Sequence, residues 1–245
     1  PILCQYHGKK VLCAQSGDTM THSDHRGKGL FIELAKRTYV LAKESGAAFI
    51  YGFPNQNSYP GFVNKLAWQH HESLHLHSIK VLTLPLAKLA KKITWIRTFY
   101  VLYVKLILCF YKRTGSGFPN SLSGKGNNSI LHDAVFFEYK KYHDTFILKL
   151  HGKLIWAKID GRLWIGDVEL QSKQVFNKTI SSLKVLAFLT GVDEIHFHTH
   201  PGTDYDTYMS EFGKIKSTIP IGFLDLESGI DVASFKFQSG DSDTF

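Results

Sequence analysis

The sequence predicts an α/β protein whose strands form a mixed sheet of the α+β type. Two kinds of apolar pattern alternate along the 245 residues: short β-prone runs and longer runs with a period near 3.6. Glycine or proline marks most boundaries between them. The order strand, turn, helix, strand occurs near the amino end and again, in outline, in the second half. We therefore expect two units of related topology.

The first unit contains three predicted strands and one long helix. The strands are Ile2–Tyr6, Val11–Ala14 and Ala48–Phe53. The first two form a hairpin through the turn His7-Gly8-Lys9-Lys10, and the third stops at Pro54. The helix begins near Leu30, has an apolar face of helical period, and ends at Gly46.

The turn before this helix is rich in glycine. Gly27 and Gly29 leave the main chain bare, so that consecutive N–H groups can face an anion at the amino terminus of the helix. Such a turn is typical of a phosphate-binding site. An ordinary strand-to-helix turn has the same composition, so the turn alone does not identify a ligand.

The residues Arg26-Gly27-Lys28-Gly29-Leu30-Phe31 resemble the pyrophosphate loop of the GNAT N-acetyltransferases. That loop reads Arg or Gln, two residues, Gly, one residue, then Gly or Ala, and Phe31 departs from it at the last position. A second resemblance follows in the right order. The segments Tyr51-Gly52-Phe53-Pro54-Asn55, Ser58-Tyr59-Pro60-Gly61-Phe62 and Lys65-Leu66-Ala67-Trp68 are similar to the family's second CoA-binding region.

The resemblance implies an acetyltransferase that moves an acetyl group from acetyl-CoA to the primary amine of a small molecule, with an amino sugar as one example. The catalytic candidates are Tyr59, the only phenol near the place of the family's acid, and Asp18, the nearest carboxylate that could serve as the base; Asp18 beside Gly17 is equally well explained as a turn residue. Phe62 lies close to the place of the family's usual tyrosine acid. The implied cofactor-binding residues are Thr19, Met20, Thr21, Arg26, Gly27, Lys28, Gly29, Leu30, Phe31, Asn55 and Ser58. The alternative is a CoA-binding or interaction protein without catalysis, which Phe31, Phe62 and Ala67 favour.

Three regions are expected: a partial GNAT acetyl-CoA-binding domain at 1–85, a bridging helix and loop at 86–130, and a degenerate GNAT-like domain at 131–245. Since 25 residues precede Arg26 and the chain begins at Pro1, we expect an amino-terminally truncated piece of the family fold. Setting Pro201 against Pro54 places Lys173–Lys178, which has no glycine, opposite the pyrophosphate loop.

The second unit is predicted to contain a hairpin, two helices and three further strands. The hairpin strands are Lys153–Lys158 and Arg162–Leu170, around Asp160-Gly161. The helices are Asn177–Thr190 and Asp206–Ile215. The remaining strands are Glu194–Thr199, Ile221–Leu224 and Phe235–Phe237.

The apolar segment Ile93–Tyr111 has nearly the length of a membrane span, but Arg97 and Lys105 interrupt it. A central charge is costly in lipid. We expect a buried or interfacial helix that bridges the two units, and a weak contact of 93–111 with an anionic membrane surface stays open as the alternative.

The composition limits which binding partners and which cellular compartment are expected. A net charge of +8 suits an anionic partner, and acetyl-CoA with a small amine is the expected pair. Nucleic acid is not expected, because the basic residues are dispersed. Three cysteines without metal-like spacing favour a reducing, cytoplasmic setting and buried thiols at Cys4 and Cys13. Nothing in the composition predicts an oligomeric state.

Alternating histidines raise the question of a metal. His196, His198 and His200 lie at strand spacing, which is one way to present imidazoles on one face. Because no carboxylate cluster accompanies them, we interpret them as structural and predict no metal. His70, His71, His75 and His77 are predicted to be surface positions of a strand and loop.

Overall fold

The computed structural model describes residues 1–17, 19–111, 118, 120–169, 171–213 and 215–245. Ten strands and seven α-helices lie in this part of the chain. The strands are β1 (Ile2–Tyr6), β2 (Lys9–Ser16), β3 (Phe49–Gly52), β4 (Gln69–Lys80), β5 (Ser129–Ile130), β6 (Thr145–Leu150), β7 (Lys153–Ile159), β8 (Leu163–Val168), β9 (Glu194–Thr199) and β10 (Ile215–Asp225). The helices are α1 (Leu30–Glu44), α2 (Tyr59–Leu66), α3 (Leu86–Lys92), α4 (Thr94–Cys109), α5 (Ala134–Tyr139), α6 (Lys173–Leu189) and α7 (Asp204–Ser210).

The strands form one sheet in the order β5-β1-β2-β3-β10-β4-β9-β8-β7-β6. The β2–β3 and β8–β9 pairs are parallel, and the other neighbouring pairs are antiparallel. The predicted mixed α/β class is therefore confirmed.

The two halves have the same strand and helix order, and they exchange their last strands. An antiparallel hairpin, a helix and a parallel strand recur as β1–β2–α1–β3 and β7–β8–α6–β9. The strand that follows each of these sets crosses over: β10 pairs with β3, and β4 pairs with β9. β4 and β10 then pair with each other in the middle of the sheet.

The first half follows the sequence patterns closely. The hairpin turn is only two residues long, because His7 and Gly8 both have positive φ, at 46° and 78°. That is the conformation which matches the twist of the flanking strands. Cys4 and Cys13 are buried free thiols, as predicted.

The second half differs from the prediction in several boundaries. α6 begins at Lys173, four residues before the predicted start, because the Ser172 side chain accepts from the Val175 N–H and caps it there. The predicted helix Asp206–Ile215 is instead the shorter α7, and Ile215 already belongs to β10. Phe235–Phe237 is not a strand, although Phe235 bridges to Asn128. The strand β6 was not predicted at all.

The bridging region contains two helices, not one. Ile93 separates α3 from α4 with an extended backbone, at φ −120°. α4 packs Val104 and Leu108 into the core between β7–β9 and α6, while most of its other apolar side chains are exposed. In the described part of the chain, no helix is long and apolar enough to cross a bilayer.

Candidate functional site

A cleft lies at the point where β2 and β3 separate. The parallel pairing of the two strands ends at Ser16 and Gly52, and the chain beyond each strand forms one wall of a cleft of about 550 Å³. Thr19 and Met20 line the wall beyond β2, and Asn55 and Ser58 line the wall beyond β3. A crevice at the carboxyl ends of parallel strands is where ligands bind in open α/β sheets.

The glycine-rich turn precedes α1 and does not itself line the cleft, but Phe31 in the first turn of α1 packs on Phe62 of the cleft wall. Gly27 and Gly29 have φ of 77° and 75°, a region that side-chain-bearing residues avoid. Gly29 is the amino-terminal cap of α1 and offers no side chain to it. Among the described residues, the backbone N–H groups of 27–31 have no backbone acceptor, since the first helical bonds are those of Ile32 and Glu33 to the Gly29 carbonyl. These five amides can therefore receive an anion.

Phe31, the residue that departs from the family loop, packs inward against α2. Its ring meets that of Phe62 edge to face at 5.2 Å. A β-carbon built on Gly61 would lie 2.9 Å from the Phe31 ring, so the glycine makes room for it. The substitution is thus accommodated away from the loop's amides.

Asn55 and Ser58 are engaged in the turn that starts α2. The Asn55 Oδ1 accepts from the N–H groups of Asn57 and Ser58, and the Ser58 hydroxyl accepts from the Asn55 N–H. The Asn55 side-chain amide has no acceptor among the described residues, so a donor remains for a ligand in the cleft.

Tyr59 follows these residues but does not line the cleft. Its ring lies 5.8 Å from that of His70 on β4, edge to face. Phe62 and Trp68 occupy the cleft wall instead, with their ring centroids 4.4 Å apart.

The Trp68 ring covers two opposed glycines. Gly52 on β3 pairs with Gly222 on β10, and a β-carbon on either would come within 3.2 Å of the Trp68 ring. The Trp68 N–H donates to the Tyr39 hydroxyl at 2.9 Å, which fixes the indole between α1 and the sheet. Glycine is therefore required at the floor of the cleft for close packing.

A carboxylate from the far end of the chain also reaches the cleft. Asp243 lines it next to Gly17, where an added β-carbon would lie 3.0 Å from the Asp243 β-carbon. The Tyr142 hydroxyl donates to the Asp243 backbone carbonyl at 2.8 Å and anchors this segment. Sequence reasoning missed Asp243, since no local signal links residues so distant in the chain. Asp18, the predicted base, lies outside the described residues.

Among its described residues, the second half has no equivalent binding turn. Lys173–Lys178 forms the first turns of α6, so the structural counterpart of Gly29, the cap of α1, is Ser172. There a serine side chain, and not an open row of amides, caps the helix. The aromatic ring of Phe245 fills the space above Gly166 on β8, where a β-carbon would lie 2.3 Å from the ring.

The histidines of β9 are buried and bonded to neighbours. His196 contacts Glu194 at 2.9 Å, and His198 contacts the Ser239 hydroxyl at 3.2 Å. Burial lowers the pKa of His198 to about 4, so its imidazole is neutral at pH 7. His71 and His77 on β4 are also buried, so their prediction as surface positions is wrong. The reason is that β4 lies between β9 and β10 in the sheet.

One group of side chains could hold a cation. His75 Nδ1 and His77 Nε2 each lie 3.0 Å from Asp206 Oδ1, and the three ligand atoms lie within 4.8 Å of one another. The same oxygen accepts from the Thr199 hydroxyl at 2.7 Å, so hydrogen bonds alone account for the arrangement. His77 Nδ1 is buried without a partner among the described residues, whereas metal-bound histidines usually donate their second N–H.

Part of the chain matches the model of a known protein family. Residues 1–71, which include the cleft walls, the glycine turn and α2, match the family model described as the acetyltransferase (GNAT) domain. No curated protein matches the sequence.

Solved structures with a similar fold cover nearly the whole chain. A GCN5-related N-acetyltransferase from Kribbella flavida has a TM-score of 0.58 at 10% identity, over 96% of this chain and 57% of its own. A protein of unknown function from Enterococcus faecalis V583, described as a probable N-acyltransferase, has a TM-score of 0.55 at 14% identity, over 93% and 58%. Saccharomyces cerevisiae N-myristoyltransferase with bound myristoyl-CoA has a TM-score of 0.51 at 10% identity, over 96% and 70%. The chain thus spans less than two thirds of the length of the first two.

Proposed function

We propose an acetyl-transfer function on the premise that the chain belongs to the GNAT family, whose acetyltransferase domain it contains at residues 1–71 and whose fold it has. The co-substrate is acetyl-CoA, and the acceptor is the primary amine of a small molecule. An amino sugar is the first acceptor to test. The observation that carries the proposal is the row of five unpaired amides at 27–31 beside the cleft between β2 and β3.

Each part of the site has a task in this reaction. The amides of 27–31 and the Arg26 guanidinium would bind the pyrophosphate, with the α1 dipole adding to the attraction. The Asn55 side-chain amide would bind the pantetheine arm. The backbone N–H groups of Thr19, Met20 and Thr21 would hold the thioester carbonyl and stabilise the negative charge that develops on its oxygen.

The proton transfers need fewer groups than the binding of acetyl-CoA does. A carboxylate must take a proton from the ammonium before the free amine attacks, or from the neutral amine as it attacks, and Asp18 and Asp243 are the two candidates. The amine nitrogen forms the new bond to the carbonyl carbon, the bond to sulfur breaks, and CoA leaves as a thiolate. A thiol pKa of about 8.5 makes that thiolate a fair leaving group, so water in the cleft can return the proton if Tyr59 does not.

The second half is proposed to be a degenerate GNAT-like domain. Its strands and α6 repeat the topology of the first half, but Ser172 caps the helix and Phe245 fills the space over Gly166 on β8, the counterpart of β2. We propose that neither half needs a metal ion.

Release of the CoA thiol tests the proposal. The chain is incubated with acetyl-CoA and a panel of amines, amino sugars first, and thiol release is followed with a chromogenic disulfide. Gly29→Asp should abolish the signal, because its carboxylate repels the pyrophosphate and its side chain strains the left-handed cap. Gly8→Asp, a glycine of similar φ in the distant hairpin turn, is the matched control.

A second function is favoured by Phe62, which stands in the cleft wall near the position of the family's tyrosine acid. If acetyl-CoA binds with the affinity expected of a substrate and no amine in the panel is acetylated, the chain is a CoA-binding or interaction protein. If acetyl-CoA does not bind, both functions are wrong.

A further inference from the structure

The outward face of α4 is unusually apolar for a helix on a protein surface. Trp95, Phe99, Leu102 and Leu106 recur at intervals of four, three and four residues, which places them on one side of the helix. Trp95 is 69% exposed and Phe99 is 68% exposed. Val104 and Leu108, on the opposite side, are buried in the core. Both sides of α4 are therefore apolar, and one of them is exposed.

Neighbouring segments extend this surface beyond the helix. The Tyr100 and Tyr103 hydroxyls donate to the carbonyls of Thr190 and Leu189, which holds α4 against the carboxyl end of α6. The Thr83 hydroxyl donates to the Phe188 carbonyl and brings the loop before α3 to the same place. Exposed side chains from three segments therefore form one surface, here called the α4 face: Leu82, Trp95, Phe99, Leu102, Leu106 and Phe188.

The segment that carries the α4 face is basic, although carboxylates from other parts of the chain lie near it: Asp144 lines a pocket together with Lys105. No Asp or Glu occurs in the sequence between Glu72 and Asp133, whereas lysine and arginine recur throughout that stretch. Lys88 and Lys91 are paired with Asp193 and Asp160. Lys92 and Lys105 are exposed, and neither forms an ion pair with a described residue; Arg97 is also exposed but lies seven residues before Val104, on the side of the helix opposite the α4 face.

We propose that the α4 face binds the surface of an anionic lipid bilayer. Exposed apolar patches with a polar rim mark interaction sites, and tryptophan, phenylalanine and leucine beside lysine and arginine are typical of elements that lie in the interface of a membrane. Two copies of the chain joined through this face would bring the same cations together, which disfavours a dimer as the occupant. Lipid phosphates would instead pair with them. The proposal is independent of the acetyl-transfer function.

Trp95 is the natural probe for the experiment. Trp68 and Trp156 are buried and Trp164 is partly buried, so Trp95 is the exposed indole among the four tryptophans of the chain. The chain is mixed with vesicles of phosphatidylcholine containing phosphatidylglycerol, or of phosphatidylcholine alone, at equal total lipid. Binding is measured by co-sedimentation, and insertion by the blue shift of fluorescence and its quenching by brominated lipid.

We expect binding to the anionic vesicles with a blue shift, and much weaker binding to phosphatidylcholine alone. Phe99→Ser with Leu102→Ser should weaken binding by about tenfold or more, since two apolar side chains no longer enter the interface. Lys92→Gln and Lys105→Gln should each weaken it by about fivefold at low salt. The matched control is Val40→Ser with Leu41→Ser on α1, where both side chains are also exposed and binding should not change.

Several results would overturn the proposal: no binding to anionic vesicles, equal binding to neutral ones, or no effect of the Phe99 and Leu102 changes. Self-association that those changes abolish would identify a second copy as the occupant instead. Circular dichroism and thermal unfolding show whether each variant is folded, and all the altered side chains are exposed, so loss of binding can be separated from loss of structure.

Discussion

At the scale of single residues, two candidates for proton transfer differ in their position relative to the cleft. Tyr59 packs on His70 outside the cleft lining, while Asp243 lies in it. We expect Tyr59→Phe to change the acetylation rate by less than about threefold, and Asp243→Asn to lower it by about 10²-fold with little change in acetyl-CoA affinity. Steady-state rates and calorimetric titration measure the two quantities. Asp18→Asn is compared alongside; if it alone abolishes turnover, Asp243 is not the base.

The contact of Phe31 with Gly61 provides a second test at this scale. Gly61→Ala should remove the cost of a helical glycine, about 1 kcal/mol, but its new methyl group would press on the Phe31 ring at 2.9 Å. In a Phe31→Ala background that pressure is gone. We therefore expect the two changes to couple favourably by about 1 kcal/mol or more in the free energy of unfolding, measured by urea denaturation of the four chains of the cycle. Additive effects would show that the ring moves aside freely.

At the scale of elements, Glu194 joins three parts of the sheet. It accepts from Arg162 before β8 at 2.7 Å, from Lys216 on β10 at 3.2 Å and from His196 on its own strand. Burial alone would raise the pKa of Glu194, but these hydrogen bonds outweigh it and hold the pKa at about 2. A depressed pKa stabilises the fold above the unfolded value of about 4.5, and that stability is lost as the pH falls towards 2.

Glu194→Gln should accordingly be less stable than the parent by about 1 to 2 kcal/mol at pH 7, after screening by solvent. The difference should shrink as the pH is lowered to about 3. Denaturant unfolding at a series of pH values measures it. A difference that does not depend on pH would mean that packing, and not charge, is lost.

The histidine strand is expected to be structural. His198→Ala should leave acetylation within a few-fold of the parent, because His198 bonds to Ser239 and stacks on Trp164 far from the glycine turn. Prolonged treatment with a chelator should not change activity. Loss of activity that zinc restores would instead point to a metal, with His75, His77 and Asp206 as its ligands.

Local elements could be predicted from the sequence, and distant pairings could not. The glycine turn and α1 have signals within a few residues, and both were predicted in place. The insertion of β10 between β3 and β4 has none, because an apolar run reads the same whichever strand lies beside it. The burial of His71 and His77 was missed for the same reason: polar residues on a strand suggest a surface until the neighbouring strands and helices are known. Asp243 reaches the cleft only through the path of the whole chain.

At the scale of the whole molecule, the asymmetry of the halves predicts the stoichiometry of binding. Among the described residues, the first half combines a glycine-capped helix with an open cleft, whereas the matching helix of the second half is capped by Ser172. We expect one CoA per chain by calorimetric titration, with Gly29→Asp abolishing it. The matched change Ser172→Asp, at the cap of α6, should leave the affinity unchanged. Two equivalent sites, or a full site in Gly29→Asp, would contradict the assignment of the glycine turn.

The exchange of last strands has a consequence for synthesis on the ribosome. β3 emerges early, yet its partner β10 follows all the other described strands in the chain. Throughout elongation the nascent chain therefore presents the edge of β3 without its partner, and such an edge is prone to pair with other chains. Synthesis of β10 is the step that allows the cleft floor, with Gly222 beside Gly52, to be assembled. The proposed acetyl-CoA site is therefore incomplete until β10 has been made.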